Sequence, residues 1–116
     1  MKIAETPFWT WTLNDSIERP SSILGKYLFF SDDRKLLQKA GEEILEAYKL
    51  SHMKISVDKN PKSEIGFGYV LCIYSESSNL SNELKSRECP GLNYRFFKTD
   101  ADTRNGVYSD KHKNAQ

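Results

Sequence analysis

Between Phe8 and Leu13 the chain reads Phe-Trp-Thr-Trp-Thr-Leu, with Trp9, Trp11 and Leu13 alternating against Phe8, Thr10 and Thr12. A period of two, carried by aromatic and β-branched residues, predicts a strand. Residues 14–22 are polar and aperiodic and include Pro20, so they predict a connecting loop. Gly25-Lys26-Tyr27-Leu28-Phe29-Phe30 is a short apolar run ended by Ser31-Asp32-Asp33, a second strand. From Asp33 to Tyr48 the apolar residues Leu36, Leu37, Ala40, Ile44, Leu45, Ala47 and Tyr48 recur at three- and four-residue spacings, with charged residues between them. That period predicts an amphipathic helix, with Ser31 or Asp32 able to cap its first turn and Leu37, Ala40, Ile44 and Tyr48 forming the stripe that meets a sheet. Met53 to Val57 alternates again as a strand, and Asp58 to Lys62 breaks it. Tyr69 to Tyr74 is apolar on both faces, the pattern of a central strand. Leu80 and Leu84 place a short helix within 79–87, stopped before Pro90-Gly91, and Tyr94 to Lys98 is a last strand.

The predicted order is strand, strand, helix, strand, strand, helix, strand. Two helices are too few to cover both faces of a sheet, so the fold class is α+β, a mixed or antiparallel sheet with both helices packed on one face. With 116 residues the chain makes one domain, placed at 1–110. Residues 99–116 are polar apart from Val107 and Tyr108; 100–105 suit one helical turn, and 111–116 have nothing to bury and are expected to fray.

Charge and cysteine content narrow the function classes. Lys plus Arg is 17 and Asp plus Glu is 16, a net charge of +1, which argues against general nucleic-acid binding. No apolar run approaches a membrane span and the first residues lack the pattern of a secretory leader, so a cytoplasmic protein with no membrane partner is expected. Cys72 and Cys89 form neither a disulfide framework nor a zinc pattern, and Cys72 reads as a small buried hydrophobe. No cofactor motif is present: Gly66-Phe67-Gly68 precedes a strand and does not open a helix, so it is a turn.

The densest chemistry lies at Lys98-Thr99-Asp100-Ala101-Asp102-Thr103-Arg104, directly after an aromatic strand. As a calcium loop it fails, because Arg104, Asn105 and Lys111 stand where a ligand, a glycine and a glutamate are needed; no metal site is expected. As an anion site, Lys98 and Arg104 hold a phosphate or carboxylate, Thr99 and Thr103 donate hydroxyls, and Asp100 and Asp102 fix the basic groups. As plain structure, the same residues cap a short turn and form surface ion pairs. Trp9 and Trp11, two apart on a strand, share a face and either line a pocket or fill a core. His52 is the one histidine outside the polar tail.

With an N-terminal Trp strand, Gly25 to Phe30 before an acidic helix start, Cys72-Ile73-Tyr74, and Phe97-Lys98-Thr99-Asp100-Ala101-Asp102-Thr103-Arg104-Asn105-Gly106-Val107-Tyr108, the chain resembles a family of small bacterial and archaeal proteins. That family is named for a phosphothreonine lyase domain and is related to the eukaryotic basophilic leukaemia-expressed protein. The resemblance implies the fold of the cap-binding translation initiation factor, a curved and mostly antiparallel sheet backed by helices. It also implies a phosphate-bearing ligand, nucleotide-like or a phosphopeptide. A β-elimination of phosphate would take a lysine base, Lys98 or Lys26, an acid, His52, and an arginine clamp, Arg104 or Arg95. The expected site is a sheet face near Trp9, Trp11, Lys26, Lys98 and Arg104. The rival expectation is a non-catalytic interaction or sponge protein, of the kind found in phage and host defence, that binds a protein or a signalling nucleotide on the same face. Neither expectation sets an oligomeric state.

Overall fold

The computed structural model describes residues 1–59 and 68–99. The expected turn at 100–105 and the tail at 111–116 lie outside the described residues, as do Asp100, Asp102 and Arg104.

The described residues form six strands and two helices: β1 (Lys2–Glu5), β2 (Trp9–Leu13), β3 (Gly25–Ser31), α1 (Arg34–Ala47), β4 (His52–Ser56), β5 (Tyr69–Ser75), α2 (Ser81–Lys85) and β6 (Asn93–Thr99). The sheet order is β1-β2-β4-β5-β3-β6, every neighbouring pair is antiparallel, and among the described strands β1 and β6 stand at the two edges. The fold is therefore α+β. From β3 to β6 the chain runs as two βαβ units that interleave: α1 carries β3 past β5 to β4, and α2 carries β5 past β3 to β6. β5 and β3 are interior strands, which is why both are apolar on two faces.

Residue period and sheet register sort the side chains cleanly. Tyr27 and Phe29 of β3, Met53 and Ile55 of β4, Leu71 and Ile73 of β5 and Tyr94 of β6 share one buried cluster with Leu37, Ile44 and Leu45 of α1 and Leu84 of α2. Both helices thus cover the same face. Asp33 is the N-cap of α1, its Oδ1 accepting from the backbone N–H of Lys35 (2.9 Å) and Leu36 (3.2 Å), so the helix starts one residue later than the hydrophobic period alone predicts. The stripe is Leu37, Gly41, Ile44 and Leu45, while Ala40 and Tyr48 pack at its margin. From the same helix Arg34 donates to Thr10 Oγ1 (2.7 Å) and Ser56 O (3.1 Å), and Gln38 donates to Thr12 Oγ1 (2.9 Å), which ties α1 to β2.

Most strand ends differ by a single residue from the sequence reading, and other differences are larger or leave a side chain exposed. β1 was given by no periodicity, because Lys-Ile-Ala-Glu has no apolar face and all four residues are exposed; it is held by its backbone pairing to β2. β2 begins at Trp9, leaving Phe8 exposed. α2 has five residues, shorter than the 79–87 span.

Candidate functional site

The face turned away from the helices is built by the alternate residues of the same strands. Along one row of the register lie Trp11, Lys54, Cys72, Leu28 and Phe96, contributed by β2, β4, β5, β3 and β6. The next row toward the β2–β3 loop carries Tyr74, Lys26 and Lys98. His52 joins that row from β4, with its ring 4.7 Å from the Tyr74 ring and nearly parallel to it, 11° between planes. On the other side Trp9 pairs with Ser56. Leu28, Phe30, Val70 and Cys72 form a second buried cluster in the middle of this face, with Trp9, Tyr74 and Phe96 packed on it. Around that apolar centre stand three lysines, and among the described residues of β2 to β6 no Asp or Glu faces this side.

Lys54 is the focus. Its Nζ sits 3.8 Å from the centre of the Trp9 ring, 5.3 Å from Trp11 and 5.9 Å from Tyr74. A cation over an aromatic face is attracted by the ring quadrupole, which accounts for the choice of residues around it. Burial lowers the proton affinity of Lys54 below the ordinary lysine value; the Cys72 thiol opposes this and the Lys26 charge adds to it. Lys26 in turn lies 5.5 Å from the Tyr74 ring and is 6% exposed. Lys98 is fully buried. Trp9, Trp11, Lys54, Tyr74 and Phe96 keep partial exposure, so they are the part of the face that solvent reaches.

His52 occupies a stack. Its ring lies between the Trp11 ring (6.3 Å, 29°) and Tyr74, and its Nδ1 is 2.7 Å from Ser51 Oγ. Burial, with a smaller contribution from Arg19, lowers its pKa from the ordinary 6.5 and so favours the neutral ring.

The structure brings Trp9, Trp11, Lys26, Lys98 and His52 onto one face, and it separates Arg95 from them. The register shifts between Leu28 and Phe29, whose partners are Phe96 and Tyr94, so Arg95 is the extra residue of a bulge. Its side chain lines a groove of about 560 Å³ with Asp32, Asp33, Leu36, Lys85 and Glu88, between the start of α1 and the α2–β6 connection. His52 and Lys98 share a row but are separated by β5 and β3, roughly 14 Å at about 4.8 Å per strand. Lys54 and Tyr74 are residues that sequence reasoning missed. Lys54 alternates with Met53 and Ile55 and reads as the solvated side of a half-buried strand. The signal that could have found it is Tyr69–Tyr74: a strand apolar on both faces requires its neighbour's outward lysine to stand against apolar and aromatic groups.

Among the described residues no group of three His, Cys, Asp or Glu side chains is arranged to hold a metal ion, and no helix is long and apolar enough to cross a membrane. No protein family, curated protein or solved structure matches the chain.

Proposed function

We propose that the helix-free face of the sheet binds a phosphate-bearing ligand, with Lys54 as the solvent-facing cation and Trp9, Trp11 and Tyr74 as the aromatic walls around it. The observation that carries this reading is the placement of Lys54 within 3.8–5.9 Å of three ring faces, on a face to which β3 and β6 add Lys26 and Lys98. Partial burial strengthens the effect: two unit charges 4 Å apart attract by about 1 kcal/mol in bulk water but about 4 kcal/mol at an effective dielectric of 20. The rings favour a ligand with a planar group beside its phosphate, hence a nucleotide-like molecule ahead of a phosphopeptide.

Binding without chemistry is favoured over phosphate elimination. A base and an acid must reach one point, whereas Lys98 has no exposed surface and His52 stands three strands away. Burial also favours the neutral ring of His52, whereas the acid for a leaving phosphate is the protonated imidazolium. The family resemblance leads to a cap-binding fold in which two tryptophans sandwich a base. Trp9 and Trp11 lie side by side on one strand face, so that sandwich is not part of the proposal.

Both tryptophans of the chain stand on this face, so selectively excited tryptophan fluorescence reports on it. A thermal-shift screen against nucleotides, cyclic nucleotides and phosphopeptides, followed by fluorescence titration, tests the proposal. A ligand present at 100 times its Kd adds about 2.7 kcal/mol of stability. Lys54→Ala and Trp9→Ala are expected to abolish the shift and Arg95→Ala to retain it. The reading fails if no phosphate-bearing compound stabilises the protein, or if Arg95→Ala removes binding while Lys54→Ala leaves it intact.

A further inference from the structure

We propose that Lys54 is a carbonyl-reactive amine, whose Nζ condenses with the aldehyde of a phosphorylated aldehyde seated on the helix-free face; the phosphate seat rests on the function proposed above, whereas the amine's reactivity does not.

Three features of the cluster carry this. The Nζ is enclosed by the rings of Trp9, Trp11 and Tyr74, and among the described residues no carboxylate, carbonyl or hydroxyl accepts a hydrogen bond from it. Lysines held by carboxylates keep their proton and do not attack carbonyls; Lys54 lacks that restraint. Lys26 stands in the adjacent strand-but-one on the same face, and a second positive charge beside an ammonium favours release of its proton. Lys54 is half-buried with an end that solvent reaches, unlike Lys98, so a small carbonyl compound has access. The lowered proton affinity of Lys54 agrees with this placement, and it survives the opposing influence of Cys72. The ring faces favour the protonated form, and burial and the Lys26 charge oppose them.

The step balances without oxidant or reductant. The lone pair of the neutral amine attacks the carbonyl carbon, a proton passes from nitrogen to the new alkoxide to give a carbinolamine, and water leaves to give the imine. The aromatic walls limit the water that would reverse it. An aldehyde carrying phosphate places its anion toward the Lys26 side of the face while its carbonyl meets Nζ.

The test uses the wild-type protein at pH 7 with one equivalent of pyridoxal 5′-phosphate, and separately pyridoxal, each trapped with borohydride and mapped by peptide mass spectrometry. The expected result is that Lys54 carries more label than the exposed Lys39 and Lys49 together, that the phosphorylated probe labels it faster than pyridoxal, and that Lys54→Arg removes the imine absorbance. Label spread over surface lysines with Lys54 no more reactive than they are overturns the inference. If pyridoxal 5′-phosphate stabilises the protein but leaves Lys54 unlabelled, the inference fails and the phosphate seat stands. Should both probes label Lys54 equally, the amine is reactive and the phosphate seat fails.

Discussion

Replacing Gly25 by alanine tests a close backbone approach in the sheet, beside the row that carries Lys26 and Lys98. Gly25 pairs with Ser75 on one side and Thr99 on the other. A Cβ at Gly25 would run into the carbonyl oxygen of Lys98, with Thr99 Cα at 2.7 Å and the Lys98 carbonyl carbon at 2.9 Å. All three atoms are backbone, so no side-chain rotation relieves the collision and the end of β6 must move. Overpacking costs about 1–3 kcal/mol when side chains can adjust, and a rigid backbone obstacle puts Gly25→Ala at or above about 3 kcal/mol. With a urea m-value of about 1–3 kcal/mol/M, the unfolding midpoint falls by about 1–3 M. Gly41→Ala is the internal control. There the added Cβ meets Met53 Sδ and, at 2.7 Å, Met53 Cε, the far end of a flexible side chain, with Leu71 Cδ1 at 3.3 Å. Alanine also favours the helix by about 0.8–1.0 kcal/mol over glycine, so the net change is expected to be within about 1 kcal/mol. Urea unfolding followed by tryptophan fluorescence measures both. A Gly25→Ala midpoint equal to wild type, or a greater loss in Gly41→Ala than in Gly25→Ala, would refute the argument.

Ile44 is 1% exposed in the helix-facing core, and Ile44→Ala is expected to cost about 2–5 kcal/mol in denaturant unfolding; a cost below about 0.5 kcal/mol would mean that α1 presents another stripe. His52 supplies a pH dependence. Its folded pKa lies below its ordinary 6.5, so between the two values the unfolded chain binds more protons than the folded one, and stability falls as pH drops through 6.5 toward the folded value. Unfolding free energies measured from pH 8 to pH 5 should show a steeper acid-side loss in wild type than in His52→Phe, which keeps a ring in the stack; identical slopes would place the acid sensitivity elsewhere.

The sequence was most legible where burial is one-sided or complete. Leu37 and Ile44 of the α1 stripe, the alternation of β2 and β4 and the interior position of β5 follow from apolar period, because the core selects for it, whereas Gly41 and Leu45 take the buried places expected for Ala40 and Tyr48. β1 escaped because an exposed edge strand is held by backbone hydrogen bonds that leave no trace in side-chain pattern. For the site, period places Trp9 and Trp11 on one face of β2, but it does not say which strands lie beside them. The crossover that sets β4 between β2 and β5 joins Lys54 to Trp9, Trp11 and Tyr74, residues 20 and more positions apart in the chain. Arg95 shows the reverse limit: one extra residue in β6 turns it out of the alternation that a regular strand would impose.

Chemical-shift mapping locates a bound ligand on the helix-free face or elsewhere on the protein. A phosphate-bearing compound that stabilises the protein is titrated into 15N-labelled protein while backbone and indole N–H resonances are followed. The account predicts that the largest changes fall on the indoles of Trp9 and Trp11 and the backbone of Lys54, Cys72 and Tyr74, with Lys85 and Glu88 unmoved. Changes centred on Asp32, Lys85, Glu88 and Arg95, with both indoles unmoved, would place the ligand in the groove beside α1 and contradict the account.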